Sequence, residues 1–168
     1  MASTVVDDLR KRTDASWANL SKQLQGLEPH MERSDQPGEW TTREVLSHLQ
    51  FAPGWSPIEV LKTFALRDLP VVEITPGQPH ITPERKKMTL KEMTDALDAQ
   101  RKGVFAYLDT LSEADMQRKA RIPLFKQFMN TDEIAVPVYV GALFEYHWND
   151  HTGQLAKIRK AVGLPETK

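Results

Sequence analysis

The stretch VYVGALFEYHWNDHTGQLAKIRKAVG, residues 138–163, constrains this chain most. Its apolar positions return every three or four residues, so Val140, Phe144, Leu155, Ile158 and Val162 fall on one stripe of a helix. His147 and His151 lie on the same stripe, one turn apart. A stripe of this kind has to be buried against other helices, which carries two imidazoles into the interior pointing the same way.

Three further segments have helical period. The first runs from about Thr4 to Gln25, with the stripe Val5, Leu9, Thr13, Trp17, Leu20, Leu24 and Leu27. Thr4 with Asp7 resembles its N-terminal cap, and Gly26 is its stop. The second opens on the capping box Thr41-x-x-Glu44 and places His48 on one face with Val45, Leu49 and Ala52. Pro53, Gly54 and Pro57 break it, and Ser56 caps a restart that continues to about Arg67. The third opens on Thr89-x-x-Glu92 and buries Leu90, Met93, Leu97, Val104, Leu108 and Leu111. Gly103 within it is expected to mark close packing. Residues 68–88 and 118–131 read as connections, the first long and proline-rich, with VVEIT extended and a helical turn starting at Thr82 and Pro83. The triplet Arg85, Lys86, Lys87 reads as a solvated face. Thr131, Asp132 and Glu133 suit the start of the last helix, with Pro137 in its first turns.

Four amphipathic helices with almost no strand signal predict an all-α fold, a four-helix bundle with long crossover connections, in one domain over residues 1–168. A chain of this length buries roughly 70% of its unfolded surface and needs no staple. It has no cysteine, which removes disulfides, thiolate metal sites and a cysteine nucleophile, and which fits a cytoplasmic protein. Net charge is −1 with no large basic tract, so nucleic acid is not an expected partner. The start, MASTVVDDLRKR, lacks the apolar run of a signal peptide, and no segment approaches 18 uninterrupted apolar residues, so no membrane span is expected.

Chemistry therefore rests on His48, His147 and His151. Two readings stand: three neutral, hydrogen-bonded core histidines, or three ligands to one metal. Three imidazoles suit zinc, with nickel, iron and cobalt also compatible, and leave a position open for water, substrate or an incoming thiol. Each ligand needs its other ring nitrogen held, and Gln154, one turn after His151, is the candidate partner. Glu44 and Asp150 are the candidates for proton handling. For Glu44 the capping box is a sufficient explanation by itself.

GEWTTREVLSHL, through Trp40, Thr41, Glu44, His48 and Leu49, resembles the opening of the second helix in the DinB-like family of four-helix metalloenzymes. HWNDHTGQLAKIRKAVGLP, through His147, His151, Gln154, Leu155, Ile158 and Arg159, resembles that family's last helix. The family is related to bacillithiol transferases and mycothiol-dependent isomerases. The resemblance covers the chain in helix order, although the PGWSP break after His48 departs from the pattern. It implies a divalent metal on His48, His147 and His151, and a homodimer. The expectation is a small-molecule enzyme, a small-thiol S-transferase with a low-molecular-weight thiol as co-substrate, or a hydrolase. The alternative is a non-catalytic metal- or ligand-binding stress-response module.

Overall fold

The computed structural model describes residues 3–167. Helix α1 spans Thr4–Leu24. Its cap is Ser3, one residue before the expected Thr4, and the Ser3 hydroxyl accepts from the Val6 N–H. Val6, not Val5, is the buried member of its stripe, and Val5 is exposed. α2 spans Thr42–Leu49 on a complete capping box, in which Thr41 and Glu44 each satisfy the other's backbone N–H. After it the chain turns sharply, with Phe51 in the left-handed region (φ 64°), where glycine is usual. α3, Pro57–Thr63, restarts on Ser56 and ends four residues short of Arg67. α4, Pro83–Lys87, is the single turn expected at Thr82 and Pro83. α5, Leu90–Leu108, follows a second capping box and buries Met93, Leu97, Val104, Phe105 and Leu108. A Cβ on Gly103 would meet only Ile58 Cδ1, at 3.5 Å, an ordinary contact, so the glycine is not forced by close packing.

The last third of the chain departs from expectation. Beyond the short α6, Glu113–Met116, strand β1 (Lys119–Arg121) pairs antiparallel with β2 (Glu133–Ala135). Residues 131–135 are therefore strand and approach, not helix. Between the strands lie a 3₁₀ turn, Pro123–Phe125, and α7, Lys126–Met129. The last helix starts at Val136, with Pro137 in its first turn, where its missing N–H costs no hydrogen bond. It comprises α8 (Val136–Gly141), one π turn (Ala142–Tyr146) and α9 (His147–Ala161).

The architecture is a four-helix bundle whose members meet in the order α1, α5, α2, α9. α1 and α2, successive long elements, thus stand diagonally, and the connection after α3 crosses over to reach α5. One hydrophobic cluster fills the centre. Trp148 packs there against Trp17 of α1 and Phe144, with ring centroids 5.3 and 4.9 Å away. Buried Arg159 donates from its guanidinium to the carbonyls of Gln23, Gln25 and Pro165. It thereby satisfies acceptors that the end of α1 leaves open. Among the described residues, no helix is long and apolar enough to cross a membrane.

Candidate metal centre

Because α2 and α9 are neighbours in the bundle, the last turn of α2 brings His48 to the pair on α9. The ring centroids of His48, His147 and His151 are 4.8, 4.8 and 4.9 Å apart. One ring nitrogen from each lies within 4.8 Å of the others. The π turn helps to aim the pair. The His147 N–H reaches back five residues to the Ala142 carbonyl, which widens the helix just before the first histidine. Leu143 and His147 then face a cavity, while Phe144 and Trp148 face the core beside α1.

The far side of each ring has a hydrogen-bond acceptor. His48 Nδ1 donates to the Gln78 carbonyl at 2.7 Å, and His151 Nδ1 to Gln154 Oε1 at 2.7 Å. The His147 ring meets the Leu143 carbonyl. An oxygen acceptor fixes the proton on the nitrogen that faces it, which leaves a lone pair on Nε2 of His48 and His151. Nε2 of His48 and Nε2 of His147 are only 2.8 Å apart. Two lone pairs at that distance repel unless a proton or a cation lies between them. A neutral His147 with its proton on Nε2 would bridge that one pair and leave the His151 lone pair without a partner, and a second proton on the His147 ring is disfavoured. Burial first, then the neighbouring His151 and His48, push His147 down to about 3. Burial also lowers His48, partly offset by the Gln78 carbonyl. A divalent cation accepts all three lone pairs at once, so the donor set fits one.

The other candidates are elsewhere. The Glu44 carboxylate accepts from the Thr41 N–H at 3.2 Å. Asp150 is exposed on α9, in a separate cleft with Arg12 and Asn149. The structure brings neither carboxylate to the cluster.

Around the cluster is a cavity of about 660 Å³. Trp40, directly before the capping box, stacks on His151 (6.1 Å, 7°) and lies 4.8 Å from His48. Phe51, aimed by its left-handed backbone, stacks on His147 at 5.9 Å and meets the Trp55 ring at a tilt, 4.6 Å away. The cavity's outer side is the connection 68–88, which acts as a strap. At one end the Val72 N–H donates to Arg121 O and the Arg121 N–H to Pro70 O, both 2.8 Å, extending the edge of β1. At the other end Arg85 Nη1 donates to the carbonyls of His80 and Ser47 and to Ser47 Oγ, at 2.9, 3.1 and 3.2 Å. Arg85 is therefore half-buried and bonded, whereas Lys86 and Lys87 are solvated as expected.

Gln78 and His80, both on the strap, are what the sequence reading missed. Gln78 acts through its backbone, which no residue type announces. His80 carried one signal, a histidine directly after Pro79 in a proline-rich turn. It lines the same cavity, half-buried, and burial followed by the nearby Arg85 lowers its pKa.

No protein-family model matches the chain. No curated protein matches it. Among solved structures, the fold is similar to that of YfiT from Bacillus subtilis. The two align with a TM-score of 0.66 and 19% identity over 98% of this chain and 92% of that one. YfiT is described as a probable metal-dependent hydrolase with an unusual four-helix bundle topology. At that identity the likeness establishes the bundle, and the site's chemistry has to be argued from its own residues.

Proposed function

We propose that this protein is a divalent-metal-dependent hydrolase in which His48, His147 and His151 hold the ion. The observation that carries the reading is the convergence of one ring nitrogen from each of three histidines within 4.8 Å, two of the rings being held in place by acceptors on their far sides. Three protein ligands leave an exchangeable position, the arrangement of catalytic rather than structural zinc. The ion, when bound, supplies Lewis-acid chemistry, acidifying water and polarising a substrate oxygen. Zinc suits the neutral imidazole set best, with nickel, iron and cobalt as alternatives.

The chain's own residues do the rest. Gln78 and Gln154 hold two of the rings in tautomer and orientation. Trp40 and Phe51 exclude water from the imidazoles, which strengthens every charge interaction there. His80, rather than Glu44 or Asp150, is the group placed to exchange protons with a leaving group or with water. Hydrolysis is favoured over transfer of a soluble thiol because it requires no second charged substrate in this cavity.

The test is metal analysis of the purified chain beside a His147→Ala variant, followed by hydrolysis of p-nitrophenyl acetate. Near-stoichiometric metal in the native chain and little in the variant is expected, with ester hydrolysis that depends on the ion. His80→Ala should keep the metal and lose roughly 10²–10⁴ in rate. Substoichiometric metal in both proteins after loading would end the reading. A cobalt-loaded chain whose spectrum does not respond to small ligands would favour the non-catalytic module instead.

A further inference from the structure

We infer that the substrate has an uncharged, aromatic or similarly apolar body, and that the cavity walls reject anionic groups anywhere but at the histidine end, those of carboxylate-bearing thiols included. This rests on the reading of the histidine cluster as the reactive end of the cavity. The walls are Trp40, Phe51, Trp55, Phe125, Phe128 and Tyr146. Aromatic faces carry negative quadrupole charge, so they attract apolar groups and repel anions. Among the described residues, no lysine or arginine lines the cavity. Its one carboxylate is Glu73, which adds to the repulsion. Arg85, the nearest candidate cation on the strap, has its Nη1 turned to Ser47 and the His80 carbonyl.

Away from the ion, recognition of a carboxylate, phosphate or sulfonate requires a guanidinium, an ammonium or a converging set of backbone N–H groups. A ligand bearing such a group would lose its hydration against indole and phenyl rings with nothing in exchange. At about 660 Å³ the cavity has the size of a small-molecule site, and three of its polar groups, the imidazoles, converge on one point. The substrate's reactive polar group therefore lies at the imidazoles and its body lies on the rings. Phe128 and Tyr146 stack on each other at 6.0 Å and 3° while remaining largely exposed, which makes them the rim of the entrance.

The matched probes are N-phenyl-1-naphthylamine and 8-anilino-1-naphthalenesulfonate, which differ by one sulfonate. Both are titrated by fluorescence into the full-length chain, metal-free and zinc-loaded. The uncharged probe should bind the metal-free chain at least about tenfold more tightly, the scale expected for stripping water from an unpaired anion. Ala52→Trp fills the cavity from a lining position and should abolish that binding. Phe128→Ala, at the exposed rim, should weaken it severalfold even if the tryptophan variant does not fold. Equal or tighter binding of the sulfonate, or uncharged-probe binding indifferent to both variants, would overturn the inference. Preference for the uncharged probe in a chain that takes up no metal would sink the hydrolase reading and leave this one standing. Zinc uptake with preference for the sulfonate would do the reverse.

Discussion

The floor and the strap of the cavity are built on different principles. The floor is helical: His48, His147 and His151 take their places from helix periodicity, a capping box and the packing of α2 beside α9. The strap, residues 68–88, has almost no regular structure and is fixed by contacts distant in sequence. Val72 bonds to Arg121, Gln78 to His48 and Arg85 to Ser47. At the histidine cluster itself the two meet through the hydrogen bond from His48 Nδ1 to the Gln78 carbonyl. A rigid surface thus carries the reactive groups, while a segment with few buried side chains covers them and holds one of them in orientation. Such a segment belongs to the low end of the local-stability range and is the part able to open.

The largest expected effect is on the floor. His147→Ala removes one of three converging nitrogens, and metal affinity should fall by far more than the roughly 10–100-fold that an outer partner carries. Competition against a chromophoric chelator measures it. Unchanged affinity would mean that the cluster is not the site. The next effect is also on the floor and concerns pH. The folded-state pKa of His147 lies below its ordinary 6.5, at about 3, so between those values the unfolded chain binds a proton that the folded chain does not. Stability conferred by this group is present above pH 6.5 and is lost as pH falls toward 3. The slope it adds is about 1.4 kcal/mol per pH unit in metal-free protein. Urea titrations of the native chain and of His147→Gln across that window should differ by this slope. Parallel curves would contradict the assigned burial.

The strap answers to a different substitution. Arg85→Ala removes the guanidinium that ties the strap to the buried Ser47, at a cost of about 1.5–3 kcal/mol if the freed carbonyls stay unpaired. Hydrogen exchange should accelerate over residues 73–88 and stay unchanged in α9. Equal acceleration in both would show that floor and strap open as one unit.

This difference also explains how much could be read in advance. The bundle, both capping boxes and the shared face of His147 and His151 follow from spacing within single helices, whereas the arrival of His48 beside them was implied by the family resemblance and depends on the packing of α2 against α9. Spacing left Asp150 open, because it is three residues after His147 and one before His151; the structure places it among exposed residues. The Glu44 carboxylate was already accounted for by the capping box. The start of the last helix was misplaced because Thr131, Asp132 and Glu133 have the composition of a helix start. Their backbone pairs instead with Lys119–Arg121, a preference set by a partner more than ten residues away. The π turn was invisible for a related reason, since an added residue leaves the three-and-four spacing of apolar positions locally intact. The strap was least legible, because its role rests on backbone carbonyls and on Arg85, which sequence alone makes one more charge in a basic triplet.

The smallest effect separates the two regions most cleanly, because the same substitution should change sign between them. Gly153 lies on the exposed face of α9 with nothing within 4 Å of the position a Cβ would take. Alanine there removes a glycine's entropic cost from a helix interior and should stabilise by about 1 kcal/mol. Gly77 also has open space around it, but its φ is +78°. A side chain in that region is strained whatever the room, so alanine should destabilise the strap by about 1–2 kcal/mol. Thermal unfolding reads the first variant and exchange over residues 73–79 the second. If Gly77→Ala were neutral, the left-handed turn would not be what shapes the strap, and Gln78 would need another reason to face His48. If both variants behaved alike, the division into a locally determined floor and a contact-determined strap would fail at the two positions where sterics are otherwise matched.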